Sequence, residues 1–211
     1  MKKFKLTTKT KVFLDSRLFQ IKATVSFGSV KKGDLGGWVE KEENLDQNSN
    51  AWVSGDAVVS GNARVSGDAW VSGDARVSGD AVVSGDAWVS GDAVVSGNAR
   101  VSGDAWVSGD AWVSGNAWVS GDAVVSGDDF LSISPLSSEM ETLIATITSL
   151  GVIEVSVGCF FGSITEFQSA VKITHGNNRL AKQYGIAIDL IKTKLEPIAE
   201  SRREQHKKGS Q

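Results

Sequence analysis

Between Ala51 and Leu131 the chain repeats one six-residue phrase, Ala-x-Val-Ser-Gly-(Asp/Asn), thirteen times without an insertion. The first copy is Ala51–Asp56 and the last Ala123–Asp128, followed by a degraded copy in Asp129, Phe130 and Leu131. A fixed short period constrains the fold more than any local propensity, because each copy is one unit that must stack on its neighbours. Within the phrase Ala and Val alternate with x and Ser, the period-two signature of a strand, so Ala and Val face one side and x and Ser the other. Glycine followed by Asp or Asn is turn chemistry. Each phrase is therefore a four-residue strand and a corner. Alone it cannot bury an apolar face, but stacked copies bury a continuous Ala/Val column.

With an aliphatic residue every six and a small residue two before it, the phrases resemble the hexapeptide-repeat family over about 80 residues. The resemblance implies a mainly β fold, a left-handed parallel β-helix in which three phrases make one triangular coil. A pentapeptide solenoid is excluded by the period of six. With three phrases per coil, residues 18 apart stack about 4.8 Å from one another. The x positions then form three columns: Trp52, Trp70, Trp88, Trp106 and Val124; Val58, Arg76, Val94, Trp112 and Phe130; and Arg64, Val82, Arg100 and Trp118. All are expected to point outward. The first column is then a ladder of four indoles, and the coil with Trp106, Trp112 and Trp118 carries one on every face. Exposed apolar stripes mark interfaces, and Trp is enriched among residues that dominate binding energy. The candidate binding residues are accordingly Trp52, Trp70, Trp88, Trp106, Trp112, Trp118, Arg64, Arg76 and Arg100. Three readings stay open: self-association, as in the trimers common among hexapeptide proteins; a different partner; or indoles that only cover and stiffen the sheet.

The net charge of −3 is unevenly spread. Residues 1–32 hold nine Lys/Arg against one acid, whereas residues 51–128 hold ten Asp against Arg64, Arg76 and Arg100. An acidic solenoid speaks against a nucleic-acid groove, which needs clustered cations. Its corner Asp columns should repel by roughly 1 kcal/mol per adjacent pair in water, and Asn62, Asn98 and Asn116 are expected to interrupt two of them. Ligands on a convex corner do not converge on calcium, so no metal is expected. Cys159 is the only cysteine, which forbids an intrachain disulfide and suits a reducing compartment. The N-terminal lysines precede no apolar signal-peptide core, and no apolar run approaches a membrane-spanning length. A cytoplasmic protein with no membrane partner is expected.

Residues 1–37 read as a basic N-terminal β unit. Phe19, Ile21, Ala23 and Val25 alternate with polar residues, Asp15-Ser16 makes a turn, and Gly33, Gly36 and Gly37 mark tight backbone turns. The solenoid spans 38–133, with an irregular first coil through Val39 and Leu45 and a two-residue phase break at 46–50. A small α+β domain follows over 134–199. Its hairpin comprises alternating Leu143, Ala145 and Ile147, then Ile153, Val155, Val157 and Cys159, turning at Leu150-Gly151. Ser163 and Glu166 form a capping box for a first helix ended by Gly176. Asn178 caps a second helix stopped by Pro197, and residues 200–211 read as a disordered charged tail.

Lys31 to Val53 resembles the start of a group of mostly uncharacterised phage and prophage proteins. Their Val-Lys-Lys-Gly-Asp-Leu-Gly-Gly-Trp-Val-Glu run, Asn-Leu and Asn-Ala-Trp-Val are all present, at Val30–Glu40, Asn44-Leu45 and Asn50–Val53. The tail resembles the same group's C-terminal module at Gly158-Cys159-Phe160, Gly162, Glu166-Phe167, Val171, Thr174-His175-Gly176 and Ala181–Tyr184. This implies a non-enzymatic phage or prophage protein in the host cytoplasm that binds a host or phage partner and acts on a host process such as defence. An enterobacterial protein labelled an acetyltransferase shares Gly-Gly-Trp-Val, so an acyl-CoA-binding acyltransferase is the alternative. Such enzymes use a histidine base and loops that protrude from the coil. Here the histidines, His175 and His206, lie outside the repeats, and the repeats have no loop. Cys159 with His175 as nucleophile and base is weaker than a structural reading, with Cys159 on an inward strand position. Ice binding by the Ser column is disfavoured by the bulky Trp, Val and Arg beside it. No enzyme activity and no cofactor are expected.

Overall fold

The structure is a computed structural model that describes residues 2–133 and 142–209. The expected boundary at Ser134-Pro135 lies outside the described residues. Strands β1 (Phe4–Phe13) and β2 (Ser16–Ala23) form an antiparallel hairpin. Its two-residue loop is Leu14-Asp15, both at positive φ (46° and 64°), one residue earlier than expected. β3 (Leu35–Val39) pairs antiparallel with β2 along its length, from Lys22 opposite Leu35 to Phe19 opposite Val39, and its Trp38-Val39 end is also the first rung of the solenoid. Gly36 and Gly37 lie within this strand and not in turns. A Cβ at Gly36 would sit 2.5 Å from the Val53 carbonyl oxygen, and one at Gly37 2.8 Å from that of Ala57. They are glycines because the second coil presses against their backbone.

Thirteen short strands follow, β4 (Trp52–Val53) to β16 (Ala123–Ser126), stacked in parallel on three faces. The registers are those the 18-residue spacing requires. The first face runs Trp52, Trp70, Trp88, Trp106, Val124. The second runs Trp38, Val58, Arg76, Val94, Trp112, and the third Arg64, Val82, Arg100, Trp118. Phe130 does not extend the second face as expected; it packs, partly buried, against the core. Every Ala and Val of the thirteen phrases at the two inward positions is at most 1% exposed. Each buried Val contributes on the order of 1.5–3 kcal/mol relative to an exposed one. At the corners the glycines from Gly55 to Gly103 back onto the next coil: a Cβ at Gly85 (φ +71°) would lie 2.8 Å from the Gly103 nitrogen.

Asn62, Asn98 and Asn116 all fall in a single corner column with Asp80, not in two. Asn62 Nδ2 donates to Asp80 Oδ1 at 3.0 Å, and Asn98 Nδ2 to Asn116 Oδ1 at 3.1 Å. Amide donation replaces carboxylate repulsion there.

Both ends of the core are covered. Lys3, 5% exposed, crosses the N-terminal end and donates through Nζ to the carbonyls of Ser49 and Ala51, both at 2.7 Å. At the other end β16 pairs antiparallel with β18 (Leu143–Thr148), so the first face continues into the tail sheet. β17 (Leu131–Ile133) lies on the same edge of β18, and Ile144 joins the solenoid core as a plug. β19 (Ile153–Val157) and β20 (Phe160–Ser163) complete the sheet. The expected hairpin is thus a larger antiparallel sheet.

Helix α1 (Ile164–His175) opens on the expected capping box: Ser163 Oγ accepts from the Glu166 amide at 3.3 Å, and Glu166 Oε2 accepts from the Ser163 amide at 2.8 Å. It ends at Gly176, φ 54°. Helix α2 (Arg179–Gly209) runs straight through Pro197 and through most of the stretch expected to be disordered. An interior proline weakens a helix by about 3 kcal/mol. Packing overrides it: Leu195 and Ala199 are fully buried, and Arg202 and Arg203 tie the following turns to the tail sheet and its loop.

Candidate binding surface

The x position decides what the solenoid shows to its surroundings, because every other repeated side chain is either buried or a short Ser or corner residue. Six of the nine expected residues are tryptophans, and the structure sorts them into two groups. Trp52 is 2% exposed, a correction to its expected outward display: Phe27 packs edge-on against it with ring centroids 5.5 Å apart. Trp70 is half-buried. Trp88, Trp106, Trp112 and Trp118 are exposed, at 46, 48, 65 and 54%. The N-terminal unit covers the starts of the first and second columns, with Phe27 on Trp52 and Lys9 and Lys11 over Trp38, so the aromatic display belongs to the C-terminal half.

The geometry of the indoles follows from the Ser two positions after x. Trp70 Nε1 donates to Ser54 Oγ at 3.0 Å, Trp88 Nε1 to Ser72 Oγ at 3.2 Å, and Trp118 Nε1 to Ser102 Oγ at 3.4 Å. Each bond joins one coil to the preceding one and lays the ring along the face. Trp88 and Trp106 then stack, with centroids 5.5 Å apart and planes 11° apart. Because the donors of Trp88 and Trp118 are used within the chain, what these two rings offer a partner is apolar ring surface.

Arg64, Arg76 and Arg100 are exposed. Arg76 lies over the Phe13 ring at 5.0 Å, so the tip of the N-terminal hairpin reaches the second face. Arg64 and Arg100 share the third face with Trp118. The nine residues do not converge on one site. Trp106, Trp112 and Trp118 stand on three different faces; Trp88 with Trp106 forms an exposed pair of stacked indoles on the first face, and Arg100 adjoins Trp118 on the third.

Trp38 escaped the sequence reading as a functional residue, and its role is structural. It is 6% exposed, donates through Nε1 to Asp56 Oδ1 at 3.4 Å, and carries the ammonium groups of Lys9 and Lys11 at 5.3 and 4.6 Å from its ring. Burial pulls the Lys11 ammonium below its usual pKa, while Asp56 and Asp74 push the other way. The basic hairpin therefore sits on part of the acidic solenoid.

Cys159 does not occupy an inward strand position. It is exposed in the turn between β19 and β20, because β19 ends at Val157. His175 packs at a tilt against Tyr184, with centroids 5.6 Å and planes 37° apart. Among the described residues no contact joins Cys159 to His175, no group of three or more His, Cys, Asp or Glu side chains could hold a metal, and no helix is long and apolar enough to cross a membrane.

No curated protein matches the chain. Residues 59–73, 75–91, 93–109 and 111–127 match the family model described as the YdcK Beta solenoid repeat. The match falls within the solenoid and leaves the N-terminal hairpin and the tail outside it. Over those four segments the chain is similar to the YdcK β-solenoid repeat family, in agreement with its parallel three-faced stack.

Proposed function

We propose that the chain is a non-enzymatic interaction or scaffold protein that self-associates, with a trimer as the expected state, and that presents its C-terminal tryptophans to a host or phage partner. The observation that supports this most is the pair Trp88 and Trp106, stacked, about half exposed and fixed on a stiff parallel face. Apolar ring surface left open in this way is commonly interface surface, and several copies of one weak face in an assembly raise affinity by avidity. The phage or prophage setting, the host cytoplasm as compartment and action on a host process such as defence rest on the resemblance of Lys31–Val53 and of the tail.

The test is sedimentation velocity on the wild type and on a Trp88→Ser/Trp106→Ser variant, paired with affinity capture from bacterial lysate. The proposal expects an assembled wild type and a variant shifted towards monomer or stripped of its captured protein. A monomeric wild type that captures the same proteins as the variant overturns it.

A further inference from the structure

The third face ends differently from the first, and the difference leaves a slot. On every earlier rung of that face the two outward-directed amides donate to the next coil. Arg64 N reaches Ala81 O at 2.9 Å and Ser66 N reaches Val83 O at 3.0 Å, and the pattern continues to Arg100 N with Ala117 O at 2.8 Å and Ser102 N with Val119 O at 2.9 Å. On the last rung the amides of Trp118 and Ser120 find no acceptor among the described residues. The corner beyond is equally open. A Cβ at Gly103 would meet Gly121 at 2.9 Å, whereas one at Gly121 would meet nothing within 4 Å. The first face has no such opening, because β18 pairs with β16 there.

Beside this edge lies a groove of about 240 Å³ between the solenoid and the turn joining β19 to β20. Trp118, Val157, Phe160 and Phe161 supply its apolar wall, and Ser156 and Cys159 add polar groups. Ser156 Oγ already donates to the Trp118 carbonyl at 3.3 Å, the acceptor that a next rung would use. Two backbone donors in a row beside an aromatic groove are the elements of strand addition.

Two carboxylates lie near the slot. Asp122 follows Ser120 at the corner, and Glu154 shares a strand face with Ser156 two residues away. These carboxylates are close enough for Asp122 to add to the effect of burial in raising the Glu154 pKa. Glu154 Oε2 is buried without a hydrogen-bond partner among the described residues, and among them no cation lines the groove. A rim of this kind attracts basic residues and repels acidic or nucleic-acid partners. A second folded copy does not supply the missing rung, because the starting edge of its third face is covered by the bridge from Leu45 to Val65.

We propose that the end of the third face is a docking slot for an extended peptide segment of a partner protein, with an apolar or aromatic residue for the groove and basic residues flanking it. The proposal rests on the partner-binding reading above and adds to it a second site, apart from Trp88 and Trp106. The peptide adds a rung to β15 (Trp118–Val119), taking the Trp118 and Ser120 amides as donors.

The probe is a synthetic peptide K-A-F-V-S-G-K, one repeat phrase between lysines, compared with E-A-F-V-S-G-E. Each is titrated into the ¹⁵N-labelled full chain, and the alkylation rate of Cys159 by iodoacetamide is followed in parallel. The slot predicts saturable shifts at the Trp118 and Ser120 amides, slower Cys159 alkylation, and at least tenfold weaker binding of the acidic peptide. Trp118→Ser and Phe161→Ser should each weaken binding at least tenfold while Val12→Ser, exposed on the N-terminal hairpin, leaves it unchanged, with the amide spectrum of each variant confirming its fold. Absence of shifts up to millimolar peptide, shifts centred on Trp88 and Trp106, or equal binding of both peptides overturns the proposal. So does a single-stranded oligonucleotide that shifts the same two amides. If the peptide fails while lysate capture succeeds through Trp88 and Trp106, the partner reading stands and only the slot falls.

Discussion

Arg202, near the C-terminal end of the long helix, pairs with Asp129 at the end of the repeats, with the side chains of both only 17% exposed. The same guanidinium donates to the carbonyl of Ile147 at 2.9 Å, and at longer range to Thr148 and Val124. One side chain thus joins the last coil, the tail sheet and the terminal helix. Arg202→Met should destabilise the tail by about 3 kcal/mol, since it strands a mostly buried carboxylate and several carbonyls. Hydrogen exchange should show β18 and the last turns of α2 opening together, while the middle coils of the solenoid keep their protection.

The glycine columns offer an internal comparison. Gly85 and Gly121 both sit in the left-handed region, at φ +71° and +65°, but only Gly85 backs onto another coil. Gly121→Ala should cost about 1–2 kcal/mol from backbone strain alone. Gly85→Ala adds a 2.8 Å contact with backbone that cannot yield, and should cost about 2 kcal/mol more than Gly121→Ala. Denaturant midpoints of the two variants against the wild type decide it.

Lys3 makes stability depend on pH. Burial lowers its pKa from 10.5 to about 8, against the opposing pull of Asp46 and Asp68. Below pH 8 both folded and unfolded chains carry the charge, so the penalty of burying it is fully present. Between about 8 and 10.5 the folded state releases its proton first, the unfolded state binds more protons, and this group's contribution to stability rises with pH. Lys3→Met removes that titration and leaves the Ser49 and Ala51 carbonyls without their donor, at a cost of about 1–3 kcal/mol. The gap between wild type and variant should therefore widen from pH 8 to pH 10 in urea melts. A gap that stays constant or narrows contradicts the assignment.

The tryptophans should divide by stability as they do by exposure. Trp52→Ser removes a buried indole and its contact with Phe27, and should cost about 3–5 kcal/mol. Trp88→Ser or Trp112→Ser should stay within about 1 kcal/mol. Thermal melts of the three variants test this, and an equal loss in all three would mean that the exposed rings also carry the fold.

The sequence by itself determined the solenoid and its register. With an uninterrupted six-residue period, each phrase meets only its neighbours in the stack. Local alternation and a fixed 18-residue offset therefore place Ala57 and Val59 inside and Trp88 over Trp106 without knowledge of anything distant. The capping box at Ser163 and the stop at Gly176 were legible for the same reason, since each depends on residues within a turn of one another. Only the tertiary structure decided what happens at the two ends. Whether Trp52 is displayed depends on Phe27, in a segment with no repeat. Whether residues beyond Pro197 are helical depends on Arg202 reaching Asp129, which lies 73 positions away. Burial of this kind joins residues across gaps of different length and composition, and no period records it. The aromatic groove beside Trp118 belongs to this second class: it is formed where the turn between β19 and β20 meets the end of the third face.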